Sequence, residues 1–539
     1  MLGAAENTNG GIFVNAGRPL TNNWDVYFFG GASRKQVIGG IFSRAAARTD
    51  RSVLGIFPNG FNPETPAILS DWQIVTGARG DLGNDWALDF SLGYSGNNLD
   101  LYNRNTVNPS LGTDSPTEFY TGSLNVTQTI LNADASKAFG NTTLAFGTEI
   151  RFESFAQAQG QAESWVAGPL ATQGKDVGST GREGYSDRTD GEWNRNNVGL
   201  YVEVESDISE DFLIGVAVRF ESYSDFGSDL SYKVASRYRV SPRLALRGSV
   251  NRSFRAPALA QLHYSNFAQI AFDNDGNSVV TPFLPIRDIL VQQAFGITEL
   301  EPETSFDIAI GLTSQLTDDL SLTADIYQIK IDDRIIVSGG IDAADFPIFD
   351  GAGYDEINIF TNAVNTTTKG LDLVANYGML FDNNGRLNLL LAANFNDTEV
   401  DALNVPPAFQ QSDIIDDRDI VFLTDGTPSS KIIGSVGYRK GMLGLLARMT
   451  KFGEVQDSRE TNPDTDAPQV FASKSVVDIA VTCYLAPQLS ITGGVNNLFD
   501  TYPDMLISPN VRGEVIYSRR TNQFGTQGRF LNLSLNYSW

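Results

Sequence analysis

A single cysteine, Cys483, and a single histidine, His263, are all that 539 residues offer of either type. A disulfide framework, a thiolate cluster and a multi-histidine metal centre are therefore excluded. Positive charge is also scarce. Lys plus Arg is 39 against 64 Asp plus Glu, a formal net charge of -25, and such a surface repels phosphate backbones, which excludes nucleic acid as a partner. No apolar run reaches the ~18 residues of a membrane-spanning helix. The start, MLGAAENTNGG, has neither the basic head nor the apolar core of an export signal. What the chain does have is 51 glycines and 11% aromatic residues, a composition suited to an all-β protein with many hairpins.

The final stretch, RFLNLSLNYSW (529–539), gives the clearest pattern. Leu531, Leu533, Leu535, Tyr537 and Trp539 share one side of an extended strand, and Asn532, Ser534, Asn536 and Ser538 the other. In a soluble sandwich the apolar side faces inward; in a transmembrane barrel it faces lipid, with an aromatic in the interfacial girdle. A strand that stops on bare aromatics favours the membrane. Tyr537 and Trp539 also resemble the C-terminal signal by which the barrel-assembly machinery recognises outer-membrane proteins, with Ser534 where a small Gly is common and Trp in place of Phe.

The same alternation recurs along the chain. Trp86, Leu88, Phe90, Leu92 and Tyr94 oppose Ala87, Asp89, Ser91 and Gly93, and Val198, Leu200, Val202 and Val204 oppose Gly199, Tyr201, Glu203 and Glu205. Connections alternate too: brief turns, as at 139–142, 240–243 and 440–442, separate long polar stretches such as 164–192, 256–304, 338–356 and 397–429. The one brief member of the long set is SDFGSD, around Asp225. Tight turns at one end and elaborated loops at the other are the mark of an outer-membrane barrel. The count is about nineteen strands, antiparallel and transmembrane, over residues 1–539. A closed bacterial barrel has an even number, so an odd count predicts first and last residues at opposite ends, and an odd number of further strands upstream.

Several segments resemble TonB-dependent outer-membrane receptors. SFRAPALAQL (253–262) is similar to the family's receptor box, with Phe254, Arg255, Ala256 and Pro257 at its core. LEPETS (300–305) resembles the element that re-enters the barrel, and GVNNLFDTYP (494–503) the penultimate strand and its exit; YSDFG (223–227), DIYQIKIDDRI (325–335) and TTTKGLDL (366–373) match in order. The resemblance implies a 22-stranded barrel filled by an N-terminal plug, preceded by a segment that touches TonB. Twenty-two strands would leave three outside this sequence, with the plug. It further implies active uptake of a scarce small-molecule ligand across the outer membrane of a Gram-negative bacterium: an iron-siderophore complex, a cobalamin-like cofactor or an oligosaccharide. A passive porin is the alternative, separable by strand number, and a soluble carbohydrate-binding or hydrolytic all-β protein is a third reading.

Physically, the receptor box reads as structural. Pro257 cannot donate to a ladder and so ends a strand, which places Phe254 and Arg255 at the outer rim, where aromatics and cations anchor an interface. His263, Tyr264, Asn266 and Phe267 begin the longest loop and, with Phe409, are the candidate ligand-contacting residues. His263 lies too close to the box for the haem ligand of related receptors and reads as a polar loop residue. Trp165, Tyr185 and Phe283 are further loop aromatics. The acidic run SDIIDDRD (412–419) carries Asp413, Asp416, Asp417 and Asp419, but its spacing is not that of an EF-hand loop, so it reads as solvated. No metal site and no cofactor is assigned. No catalytic residues are assigned either: no local sequence singles out a carboxylate pair, and His263 has no nucleophile elbow to serve.

Overall fold

The computed structural model describes residues 5–267, 270–272, 278–461, 467–507, 516–518 and 520–538. Trp539 lies outside them. Nineteen antiparallel strands form one continuous sheet in which each strand pairs with the next in the chain, from β1 (Glu6–Pro19) to β19 (Phe530–Tyr537). Numbering below follows these wall strands only. Among the described residues no ladder joins β1 to β19. Both are exposed along their whole length.

The turns at one end are short because their residues permit it. Gly140 and Gly441 open two-residue hairpins at φ 62° and 56°, a conformation that glycine adopts without a Cβ penalty. The opposite end carries residues 41–63, 105–117, 159–190, 256–302, 338–359, 404–429, 453–473 and 497–529, together with the brief turn 224–226. Glu6 begins at this long-loop end and Tyr537 finishes at the short-turn end, as the odd strand count requires.

The strands are longer than a bilayer demands. β5 (Glu118–Phe139) has 22 residues, whereas ~9–11 tilted residues cross the hydrocarbon. The excess lies toward the long-loop end, and it is there that burial sets in. In β7 (Gly191–Asp207), Arg195, Asn197 and Gly199 are buried, while Asn194, Asn196, Val198 and Leu200 between them are exposed. One face is apolar and exposed, with Leu200 at 54%; the other carries Tyr201 and Glu203 and lines the lumen.

Lumen-facing charges are paired across strands. Arg219 of β8 (Phe212–Tyr223) lies 3.4 Å from Glu149 of β6 (Thr142–Ala158) and 3.0 Å from Glu221. Arg247 of β10 (Leu244–Arg255) lies 2.5 Å from Asp325 of β12 (Leu320–Val337).

The principal hydrophobic core is outside the wall proper. Leu262, Leu284, Ile286, Val291, Phe295, Ile341, Phe349, Ile357 and Ile359, all from or beside the loops 256–302 and 338–359, pack together as a crown, with Phe409 against them. The acidic run 412–419 is not a solvated loop here: it folds into the helices Gln411–Ile414 and Asp417–Asp425. Asp413 accepts from the Gln410 N–H at 2.8 Å and Asp416 from the Asp419 N–H at 2.9 Å, so two of its carboxylates serve as helix caps.

Candidate functional site

The receptor box sits where the wall becomes the crown. β10 ends at Arg255, whose guanidinium lies 3.2 Å from Glu303, the first residue of β11 (Glu303–Gln315). Glu303 turns its other oxygen to the Ile335 N–H at 2.8 Å. That donor is left over by a bulge in β12, where Asp333 adopts φ 57° and the register shifts between Ile331 and Arg334. Asn404 reaches the Asp333 carboxylate at 3.2 Å, and Asn362 donates to the Asp333 carbonyl. SFRAP, LEPETS and IDDRI, separate in the sequence, thus meet at one joint.

Pro257 is held from the other side. Arg195 is only 6% exposed; its Nε and Nη2 donate to Glu153 at 2.8 and 2.6 Å, and its Nη1 donates to the Pro257 carbonyl at 2.7 Å. The guanidinium also lies 5.1 Å from the Tyr223 ring centroid and 3.6 Å from Asp225. Phe254 meets Tyr223 edge-on at 6.2 Å. The box residues are therefore gripped by partners on β7, β8 and β11. Arg255 keeps an exposed side chain beyond its ion pair; Ala256 and Pro257 lead into the loop.

The candidate ligand-contacting residues follow. His263 ends the helix Leu259–His263 and stacks on Trp193 at 4.8 Å, which in turn stacks on Phe155 at 5.8 Å. Burial, with the nearby Arg287 cation, depresses the His263 imidazole to about 4, so it is neutral at physiological pH. Tyr264 contacts Tyr185 and Phe283 edge-on. Asn266 and Phe283 exchange backbone hydrogen bonds at 2.9 Å. Phe267 lies under the Arg188 guanidinium at 3.9 Å. Phe409 packs on the same crown as Tyr264 and Phe267, with its ring against Phe295 and Phe346. Trp165 donates to the Gly160 carbonyl within its own loop.

A second polar site lies between the loops 41–63 and 159–190. Arg51 pairs with Asp176 at 2.9 Å, and Arg44, Gly178 and Glu183 complete a cavity of about 70 Å³. Burial pushes the Glu183 carboxyl up to about 7, although its own backbone and Arg44 pull the other way. Among the described residues no group of three or more His, Cys, Asp or Glu side chains is placed to hold a metal ion.

Glu153, Trp193, Arg195 and Glu303 grip the candidate loop, and sequence reasoning did not single them out. Glu303 was marked only as a member of LEPETS, and the only signal of Glu153, Trp193 and Arg195 was membership of the lumen face of an alternating strand, which dozens of residues share.

This arrangement can bind and enclose a solute at the mouth of a polar lumen. Comparison with known proteins places it. The family model described as TonB dependent receptor-like, beta-barrel, matches residues 6–498. The fold is that of the siderophore receptor PirA from Acinetobacter baumannii, with a TM-score of 0.63 at 16% identity over 100% of this chain and 72% of that one. It is likewise that of the iron transporter FrpB from Neisseria meningitidis, at 0.62 and 13% over 98% of this chain and 72% of that one. The ferric enterobactin receptor PfeA from Pseudomonas aeruginosa, as a mutant, gives 0.60 and 13% over 99% and 78%. No sequence among curated proteins matches. The family is one of receptors and transporters of the Gram-negative outer membrane rather than of enzymes. This chain belongs to the TonB-dependent receptor β-barrel family.

Proposed function

We propose that this chain forms the wall and loops of an outer-membrane receptor for TonB-dependent uptake of a scarce solute, with an iron-siderophore complex as the favoured class. The observation that carries the reading is the joint of receptor-box, re-entry and bulge residues beneath a packed crown, at one end of a nineteen-stranded wall with a polar lumen. The structural neighbours, which are siderophore and iron receptors, support the ligand class.

On this reading the intact wall has 22 strands, closed by three more that complete the ring between β19 and β1, and a plug fills the lumen. Loop residues capture the ligand outside, and TonB, working on the plug, opens the path inward. Lipid covers the Leu200 face, and the barrel-assembly machinery reads the C-terminal aromatics Tyr537 and Trp539.

The test is uptake of a radioactive ferric siderophore by iron-starved cells. Deleting the gene for this chain abolishes uptake, and so does removing TonB. Uptake that survives without TonB overturns the reading in favour of passive diffusion.

A further inference from the structure

The brief turn at 224–226 has a use. Every other connection at the long-loop end is elaborated, and this one leaves a saddle in the rim. The chain leaving β10 crosses that saddle and lies down on the lumen face of β6 and β7. Three successive contacts fasten it there. Arg195, itself held by Glu153, grips the Pro257 carbonyl at 2.7 Å. His263 stacks on Trp193 with ring planes 10° apart. Gln157 pairs with the Ser265 backbone at both ends of its amide, donating to the carbonyl at 2.7 Å and accepting from the N–H at 3.2 Å. Glu153, Phe155 and Gln157 are alternate residues of one strand face, the face that continues downward as Arg151 and Glu149 into the lumen. Phe155 and Gln157 are almost wholly buried although they stand at the top of an open wall.

We propose that residues 257–267 form a strap folded inward over the lumen wall, with Arg195 as the positioning residue that holds it, and that the strap lifts to admit solute. The fastening is graded. The Arg195 contact is charge-assisted and anchors the origin of the loop, whereas the stack and the amide pair are neutral and separate more readily. Leu259 and Leu262 of the same segment are buried in the crown, so the strap lifts together with the crown. The role in admitting solute rests on the uptake reading above; the docked strap does not.

Because His263 is the only histidine in the chain, its ring gives one NMR signal in the detergent-solubilised protein. With the strap docked, the ring titrates near 4, below the ordinary 6.5, under burial and the Arg287 charge. Arg195→Met is expected to raise that midpoint by more than one pH unit, and Arg195→Lys to recover part of the difference. An unchanged midpoint in a folded Arg195→Met protein overturns the positioning role.

A second variant does not depend on loosening anything. In a Cys483→Ser background, Gln157→Cys with Ser265→Cys is expected to link under air, leaving no free thiol, and to restore the low midpoint when combined with Arg195→Met. Thiols in folded protein that neither link under air nor are bridged by a short bis-maleimide show that the strap is not docked. In cells, the linked form is expected to lose at least nine-tenths of ferric siderophore uptake and to regain it with reductant. Equal uptake in linked and reduced forms overturns the lifting step. Absence of uptake even in the unmodified receptor overturns the uptake reading instead, and the docked strap is then decided by the midpoint and thiol measurements.

Discussion

The wall and the crown of this receptor are stabilised by opposite means. In the wall neither face of a strand packs on a protein core, so its apolar side chains are exposed: Leu200, Ile310, Ile326 and Leu391 are all more than half exposed. Cohesion there comes from long backbone ladders, interrupted only locally by bulges such as the one at Asp333, and from paired lumen charges. The crown has an interior. Ile286, Ile341, Ile357 and Ile359 are fully buried, and Phe295 meets Phe346, Phe349 and Phe409 within 6 Å. This barrel therefore carries its conventional hydrophobic core outside the wall, in the long loops.

The sharpest way to break the comparison is Phe295→Ala. Truncating a buried aromatic costs about 3–5 kcal/mol, and the loss is expected to fall on the crown alone. Loops 256–302 and 338–359 become sensitive to limited proteolysis while the wall keeps its resistance to detergent, read as heat-dependent electrophoretic mobility. Simultaneous loss of both would show that crown and wall fold as one unit.

Leu200→Arg attacks the other half. A cation on the lipid face near mid-bilayer costs about 2–4 kcal/mol. The expected result is weaker wall stability in a urea titration in lipid, with the crown's protease pattern unchanged in the protein that remains folded.

Acidity separates two parts of the loop region. The His263 midpoint is depressed on folding, so its contribution is fully present above about 6.5 and is lost as pH falls toward about 4. Glu183 is the reverse: its carboxyl, ordinarily at 4.5, is raised to about 7, so its contribution is fully present below 4.5 and is lost as pH rises through 7. Proteolysis across pH 4 to 8 is expected to loosen the 256–302 loop at the acid end and the 159–190 loop at the alkaline end. Glu183→Gln should abolish only the second trend.

The smallest effect belongs to the short-turn end. Arg243 and Asp318 lie 2.7 Å apart but are mostly exposed, and such pairs contribute roughly 0–1 kcal/mol. Asp318→Ala is expected to leave urea midpoints within error; a large loss would show that the short-turn end carries more of the wall's stability than its geometry suggests.

Much of the wall was legible in the residues. Alternation with period two marks each strand without reference to any other, glycine and asparagine mark the turns, and the count of nineteen and the opposite placement of the two ends follow from the order of short and long connections. The acidic run 412–419 was less legible, because a capping aspartate and a solvated one look alike until the helix they cap has packed.

What the sequence by itself determined, then, is the wall: a strand's face is decided by its own neighbours, and a meander pairs each strand with the next. The tertiary structure alone decided the crown and its fastenings. Arg195 meets Pro257 across 62 residues, Glu153 meets Arg195 across 42, and Gln157 meets Ser265 across 108. No local period encodes those meetings. They exist because the saddle at Asp225 lets one loop cross to a wall two hairpins away, and because a buried charge or amide is stable there only when a partner from elsewhere in the chain satisfies it.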